Sequence, residues 1–244
     1  MSRVALVAGG SGPIGAAVAG RLVASGYRVA LHFHRRPDAA AKTMAEFGDG
    51  HLVVGADLGD PASLDVAVTR VEDELGPVAV LVNSAHPGRP EQAPVAELSV
   101  GGLAAQLSAV GAHAALCARV VPGMRSAGWG RVVYVSGALM ARPAPGYGAY
   151  GAAKAAASVL TRYLAVEEGR HGITANVVAP GRVAVAGEEL TPAQRALATK
   201  LRERMALPAF PDPSDVADAV LTFVNSGALT GQTLWVTGGE PIDG

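Results

Sequence analysis

Short apolar runs rich in Val, Ala and Leu alternate along the chain with longer stretches whose apolar positions recur at helical spacing. The runs predict strands at Val4–Ala8, Arg28–Phe33, His51–Ala56, Ala79–Asn83, Arg131–Ser136, Thr174–Ala179 and Thr233–Val236. Between them helices are expected around 13–25, 37–47, 61–75, 96–127, 149–170 and 213–225. Strands alternating with helices imply βαβ units. Right-handed crossovers then give an α/β, doubly wound parallel sheet of about seven strands with helices on both faces. Gly or Pro marks many junctions, among them Gly26, Gly76-Pro77, Gly128, Gly130 and Pro180-Gly181. The 244 residues suit one domain, 1–244, with no internal repeat or linker. Segment 182–207 has the weakest strand signal. It reads either as a substrate-loop insertion over the ligand crevice or as an ordinary surface helix.

Composition narrows the field. Hydrophobic residues make up 50% but aromatics only 5%, so the core is built from small aliphatic side chains, as in parallel sheets. A net charge of −1 without charged blocks argues against nucleic acid or an anionic membrane as a partner. The lone cysteine, Cys117, has no internal disulfide partner, and a reducing, cytoplasmic location is expected. No signal peptide precedes the first strand. No apolar run of about 18 residues is evident, so no membrane span is expected.

The first strand leads into Gly9-Gly10-Ser11-Gly12-Pro13-Ile14-Gly15 and then a helix. A glycine turn there aims backbone N–H groups at the positive end of the helix, where a diphosphate binds. Gly9 permits the turn and Gly15 the close approach of helix to sheet, the pattern of a dinucleotide-binding Rossmann domain. The second strand ends in His32-Phe33-His34-Arg35-Arg36. An NAD site would carry an acid about here for the ribose 2′-hydroxyl, but none precedes Asp38. Arg35, assisted by Arg36, is suited to fork onto a 2′-phosphate, which points to NADP(H). His32 and His34 share a strand face, but no third ligand accompanies them and no metal is expected.

Tyr150 and Lys154 lie at positions i and i+4 of a predicted helix, so both can address one ligand. An ammonium beside a phenol lowers the phenol pKa, and such a Tyr can protonate an alkoxide as hydride arrives. Upstream, Arg131–Ser136 ends in a hydroxyl. Downstream, Asn176–Gly181 ends in a Pro-Gly turn.

On Gly9–Gly15, Asp57-Leu58, Asn83-Ser84-Ala85, Tyr150/Lys154, Asn176–Gly181 and Gly231–Gly239, the chain resembles the short-chain dehydrogenase/reductase family over almost its whole length. The resemblance implies that Asp57 and Leu58 contact adenine and that Asn83, Ser84 and Ala85 line the cofactor cleft. It further implies that Pro180, Gly181 and Val183 flank the nicotinamide, and that long helices near 100–125 and 149–168 build a homodimer or homotetramer. The chain departs from the family pattern at several positions. Ala8 replaces a Thr, Pro13 a Gly, and Ser84 and His86 an Asn and a Gly. Ser108 and Ala109 stand where an Asn holds a relay water, and Gly137 stands where the catalytic Ser is usual. Ser136, one residue earlier, is the candidate replacement, provided a bulge turns it inward. Leu31–Arg35, including His34, and Gly146–Tyr150 resemble the pteridine reductases of the family, but their Asp falls on Gly137 and their frequent Arg on Pro13.

Three functions are consistent with these residues. The first is an NADPH-dependent reductase of a keto group on a small molecule or a carrier-bound β-ketoacyl or polyketide-type thioester. Arg89, Arg142 or Arg182 would then be candidates to meet a carrier. The second is a pteridine or dihydrofolate-type reductase. The third is a catalytically weakened NADP(H)-binding sensor or partner subunit. Trp129 and Trp235 read as packing or interface residues, with Trp235 also a candidate cover of the active site, His113 as a satisfied core or interface histidine, Glu167-Glu168 as a solvated helix face, and Glu240–Gly244 as a loose tail or an arm to a neighbouring subunit.

Overall fold

The computed structural model describes residues 2–88 and 90–242. Arg89 and the terminal Asp243 and Gly244 lie outside the described residues. Seven strands form one parallel sheet in the order β3-β2-β1-β4-β5-β6-β7. They are β1 (Val4–Ala8), β2 (Arg28–Phe33), β3 (Leu52–Gly55), β4 (Val78–Asn83), β5 (Gly130–Val135), β6 (Ile173–Pro180) and β7 (Thr233–Val236). Every residue of β1, β5 and β6 is buried, which is why these runs are mostly apolar rather than alternating, with Arg131, Thr174 and Asn176 as buried polar exceptions. The helices are α1 (Pro13–Ala24), α2 (Pro37–Ala45), α3 (Pro61–Leu75), α4 (Val100–Ala127), α5 (Gly148–Glu168), α6 (Pro192–Arg202) and α7 (Pro213–Asn225).

Strand pleating divides the core in two. Ala5 and Val7 face α1 and α7 through Val18, Leu22, Val216 and Phe223. Val4, Leu6 and Ala8 face α3 and α4 through Leu64, Val68, Leu116 and Met124. Helices therefore cover both faces of the sheet.

Helix starts follow local chemistry. Five helices open on Pro, whose missing N–H costs nothing in the first turn. Asp60, Ser99, Thr191 and Asp212 accept bonds from first-turn N–H groups. The Ser99 cap starts α4 at Val100 rather than at the expected 96, and Val95–Glu97 forms a separate 3₁₀ turn. Gly128, with φ 62°, ends α4 and returns the chain to β5.

One expectation needs correction. Among the described residues, α4 is long and apolar enough to cross a membrane, with a mean hydropathy of 1.4 over its most apolar window. It instead covers the sheet with His113, Leu116, Val120, Val121 and Met124, and Arg119 on it pairs with Asp65 and Glu72 of α3. Its apolar character comes largely from Ala, Gly and Val, several of them, such as Val100 and Gly111, exposed.

The strand order places the site. The chain builds outward from β1 to β3, then returns to add β4 on the other side of β1. The loops after β1 and β4 diverge at their carboxyl ends and open a crevice there. Segment 182–207 holds α6, whose Leu197 and Leu201 line a cavity together with Arg182 and Val183.

Candidate active site

The loop after β1 is held by backbone demands that only glycine meets. Gly9 has φ +79°, and a Cβ on it would stand 2.7 Å from the Ala85 amide nitrogen. A Cβ on Gly15 would collide with the Gly9 carbonyl. Gly12 caps α1 without a side-chain bond, and Pro13 has no N–H. Ile14 and Gly15 therefore supply the first-turn N–H groups, with Ser11 in the turn before them. His32, seen in the sequence only as a rejected metal ligand, braces this turn. Its Nδ1 accepts from Gly9 N–H at 3.2 Å, and its Nε2 lies 3.0 Å from the Ala56 carbonyl. Those contacts fix the Nε2–H tautomer, and burial pulls the ring's pKa below its usual value. Among the described residues no cluster of possible metal ligands exists.

An open cleft runs along the carboxyl edge from His32, which braces this turn, to His86. His34, Arg35, Asp57, Leu58, Asn83 and Ala85 line it. Arg35 and Arg36 are exposed, and neither enters an ion pair among the described residues. A Cβ on Gly12 would come within 3.8 Å of the Arg36 guanidinium, so Arg36 overhangs the glycine turn. His34 Nε2 lies 3.8 Å from Asp57 Oδ2. Ser84 departs from expectation. Its hydroxyl donates to the Ala8 carbonyl at 2.8 Å, tying β4 to β1 instead of facing the cleft. Asn83 holds the β4 turn by accepting from Ala85 N–H at 3.0 Å. Its Nδ2 donates to His113 Nδ1 at 3.2 Å, and His113 Nε2 in turn reaches Thr161 Oγ1 at 3.0 Å. Thr161 spends its own proton on the Ala157 carbonyl, so His113 donates from Nε2. Burial, then the Lys154 charge, pull the His113 pKa down to about 4.

A second cavity lies on the other side of Tyr150. Gly137, Arg142, Tyr147, Pro180, Gly181 and Val183 line it, with α6 opposite. Near the start of α5, Lys154 is buried and Tyr150 half-buried. Lys154 Nζ lies 5.7 Å from the Tyr150 ring centroid and 5.0 Å from that of Tyr134, and it donates to the Val135 carbonyl at 2.9 Å. This corrects the expected tuning. The ammonium addresses ring faces and a carbonyl, and burial pushes Tyr150 up to about 12 instead of down. Burial also lowers Lys154 to about 8.

Ser136 is also corrected. No bulge interrupts β5, so the alternation that sends Tyr134 toward α5 carries through to Ser136. Its hydroxyl meets Ser158 Oγ at 2.9 Å, Met140 Sδ at 3.1 Å and the Lys154 carbonyl at 3.4 Å. Gly137, not Ser136, faces the phenol, and a Cβ on it would stand 3.0 Å from Tyr150 Oη.

Residues 8–240 match the family described as enoyl-(acyl carrier protein) reductase. The chain belongs to the short-chain dehydrogenase/reductase family. It is similar to an acetoacetyl-CoA reductase of Shinella zoogloeoides, 33% identical over 98% of this chain and 99% of the relative. A short-chain reductase protein NovJ of Streptomyces niveus is 33% identical over 98% and 94%. A solved short-chain type dehydrogenase/reductase from Mycobacterium ulcerans shares the fold, with TM-score 0.90 at 24% identity over 98% of this chain and 91% of that one. The chain is therefore an oxidoreductase, and short-chain dehydrogenase/reductases work with a nicotinamide nucleotide. The residues fit such a group, because Gly9, Gly10 and Gly15 have no room for a Cβ and so hold the turn tight against the start of α1, where first-turn N–H groups are free for a diphosphate.

Several residues of this short-chain dehydrogenase/reductase site have surroundings that the sequence did not reveal. His86 stacks on Tyr150 with ring centroids 4.9 Å apart and 27° between planes, forming the wall between the two cavities. Arg142 is buried and pairs with Glu240 at 3.1 Å, so the tail is anchored in its own subunit at least to Glu240. Arg182 pairs with Glu188 at 2.9 Å, so neither arginine is free for a carrier. Glu168, read as solvated, is buried against Arg125, which holds its carboxyl below the usual range. Glu167 alone is on the solvated face.

Proposed function

We propose that the chain is a cytoplasmic NADPH-dependent ketoreductase acting on a β-ketoacyl or polyketide-type thioester. The observation that carries this reading is the position of Tyr150. Its phenol lines the cavity walled by Gly137, Pro180, Gly181 and Val183, while the nucleotide cleft opens behind it. Acetoacetyl-CoA reductases among the relatives support the thioester. The free Arg35 and Arg36 support NADPH, since a 2′-phosphate would give them the anionic partner they lack.

NADPH, when bound, supplies the hydride. The protein's share is positioning and proton transfer. Gly9, Ser11, Pro13, Ile14 and Gly15 shape the diphosphate turn, and Asp57, Leu58, Asn83 and Ala85 form the adenosine side of the cleft. Tyr150 gives its proton to the carbonyl oxygen as the carbon is reduced. A pKa near 12 keeps the phenol protonated until an alkoxide, a stronger base, forms beside it. Lys154, protonated below about pH 8, favours the phenolate left behind. Segment 182–207 covers the substrate cavity. Val159, Leu160, Tyr163 and Val166 expose an apolar strip on α5 beside Leu107 of α4, which suits a homodimer or homotetramer.

The test is NADPH oxidation with acetoacetyl-CoA, crotonyl-CoA and dihydrobiopterin. Turnover is expected with the keto thioester, and Tyr150→Phe should lower kcat/KM by about 10³-fold while leaving NADPH affinity intact. Oxidation with crotonyl-CoA alone, or with the pterin alone, would overturn the reading.

A further inference from the structure

The oxygen that Tyr150 protonates lies within hydrogen-bond reach of its hydroxyl, and negative charge grows on it as the carbon is reduced. A second fixed donor aimed there stabilises the transition state more than the ground state. Most polar side chains around the phenol are committed elsewhere. Ser136 and Ser158 bond each other, Lys154 donates to the Val135 carbonyl, and Ser108 donates to the Ala105 carbonyl. Arg142 and Arg182 each hold a carboxylate. Gly137 offers no side chain. The Tyr134 hydroxyl has no partner, but Tyr134 is among the lining residues of neither cavity.

His86 is uncommitted. Its ring lies against the Tyr150 ring, and both ring nitrogens are shielded from solvent without a hydrogen-bond partner among the described residues. Two orphaned nitrogens in a cavity wall are costly unless a ligand satisfies them. Resting on the reductase reading above, we infer that His86 is a catalytic residue whose imidazole N–H donates to the substrate oxygen that Tyr150 protonates. No bond to His86 is made or broken; the proton transferred is that of Tyr150. Burial, then the Lys154 charge, bring its pKa down to about 4, so the ring is neutral near pH 7 and has one N–H to donate. The stack holds the imidazole against the phenol ring, on the side of the nucleotide cleft that His86 lines.

The experiment compares His86→Phe, which keeps the ring, with His86→Gln, which keeps a donor. Steady-state kinetics use acetoacetyl-CoA, and NADPH affinity is measured by quenching of tryptophan fluorescence. His86→Phe should lower kcat about 10²-fold, with KM and NADPH affinity within about threefold of wild type. His86→Gln should regain about tenfold of that loss. An indifferent His86→Phe in an active enzyme overturns this inference alone, as does a His86→Gln no faster than His86→Phe. A parallel loss of NADPH affinity would make the ring a nucleotide contact and also overturn it. Wild-type protein that reduces no keto thioester, with Tyr150→Phe indistinguishable from it, removes the reductase reading and this inference together. Should His86→Phe not fold, His86→Gln decides: kcat about tenfold below wild type with NADPH binding retained supports the role, and wild-type kcat or a lost NADPH site overturns it.

Discussion

Replacing His113 by Leu gives a pH-resolved test of how the interior supports the site. At pH 7 the imidazole is neutral, accepting from Asn83 and donating to Thr161. His113→Leu fills the volume but orphans the buried Asn83 amide, which costs about 1–3 kcal/mol. Acid changes the comparison. The wild-type ring falls from 6.5 in the unfolded chain to about 4 in the fold, so between those values the unfolded state binds the extra proton. The folded-state pKa is depressed, so this contribution is complete above about pH 6.5 and lost as pH falls toward 4. The full difference corresponds to about 3 kcal/mol, of which about 2.5 kcal/mol is lost by pH 4.5. Urea titrations at pH 7 and 4.5, followed by tryptophan fluorescence, should show the wild-type advantage over His113→Leu shrinking by about 2–3 kcal/mol. A difference that does not change with pH would refute the buried neutral histidine. The variant should also weaken NADPH binding, because Asn83 shapes the turn at Ala85.

Other outcomes follow from the same geometry. Ser136→Ala should change kcat less than tenfold yet cost about 1 kcal/mol in urea denaturation, because its hydroxyl bonds Ser158 rather than substrate. Arg35→Ala combined with Arg36→Ala should weaken NADPH binding about 10²-fold and leave NADH binding nearly unchanged, as read by calorimetry. Reductive kcat should decline as pH rises through about 8, where Lys154 loses its proton; a rate still level at pH 9.5 would remove Lys154 from the proton-transfer step.

The sequence was most informative where structure is local or repetitive. Runs such as Val4–Ala8 and Arg28–Phe33 were legible to the residue, because strands buried on both faces are predominantly apolar. The glycine turn was legible because steric exclusion at Gly9 and Gly15 acts over a few bonds. Boundaries slipped where pairing decided them. β3 keeps only the four residues that pair with β2.

By itself the sequence therefore determined the doubly wound sheet, the nucleotide turn, and the pairing of Tyr150 with Lys154 on one helix face. Only the tertiary structure decided which way the groups around them point and how readily they ionise. Uninterrupted β5–β6 register aims Ser136 at α5. The return of the chain at β4 sets His86 against a phenol 64 positions later. Depth of burial outweighs the neighbouring ammonium in the acidity of Tyr150. These are sums over contacts between distant segments, and no spacing within one segment encodes them.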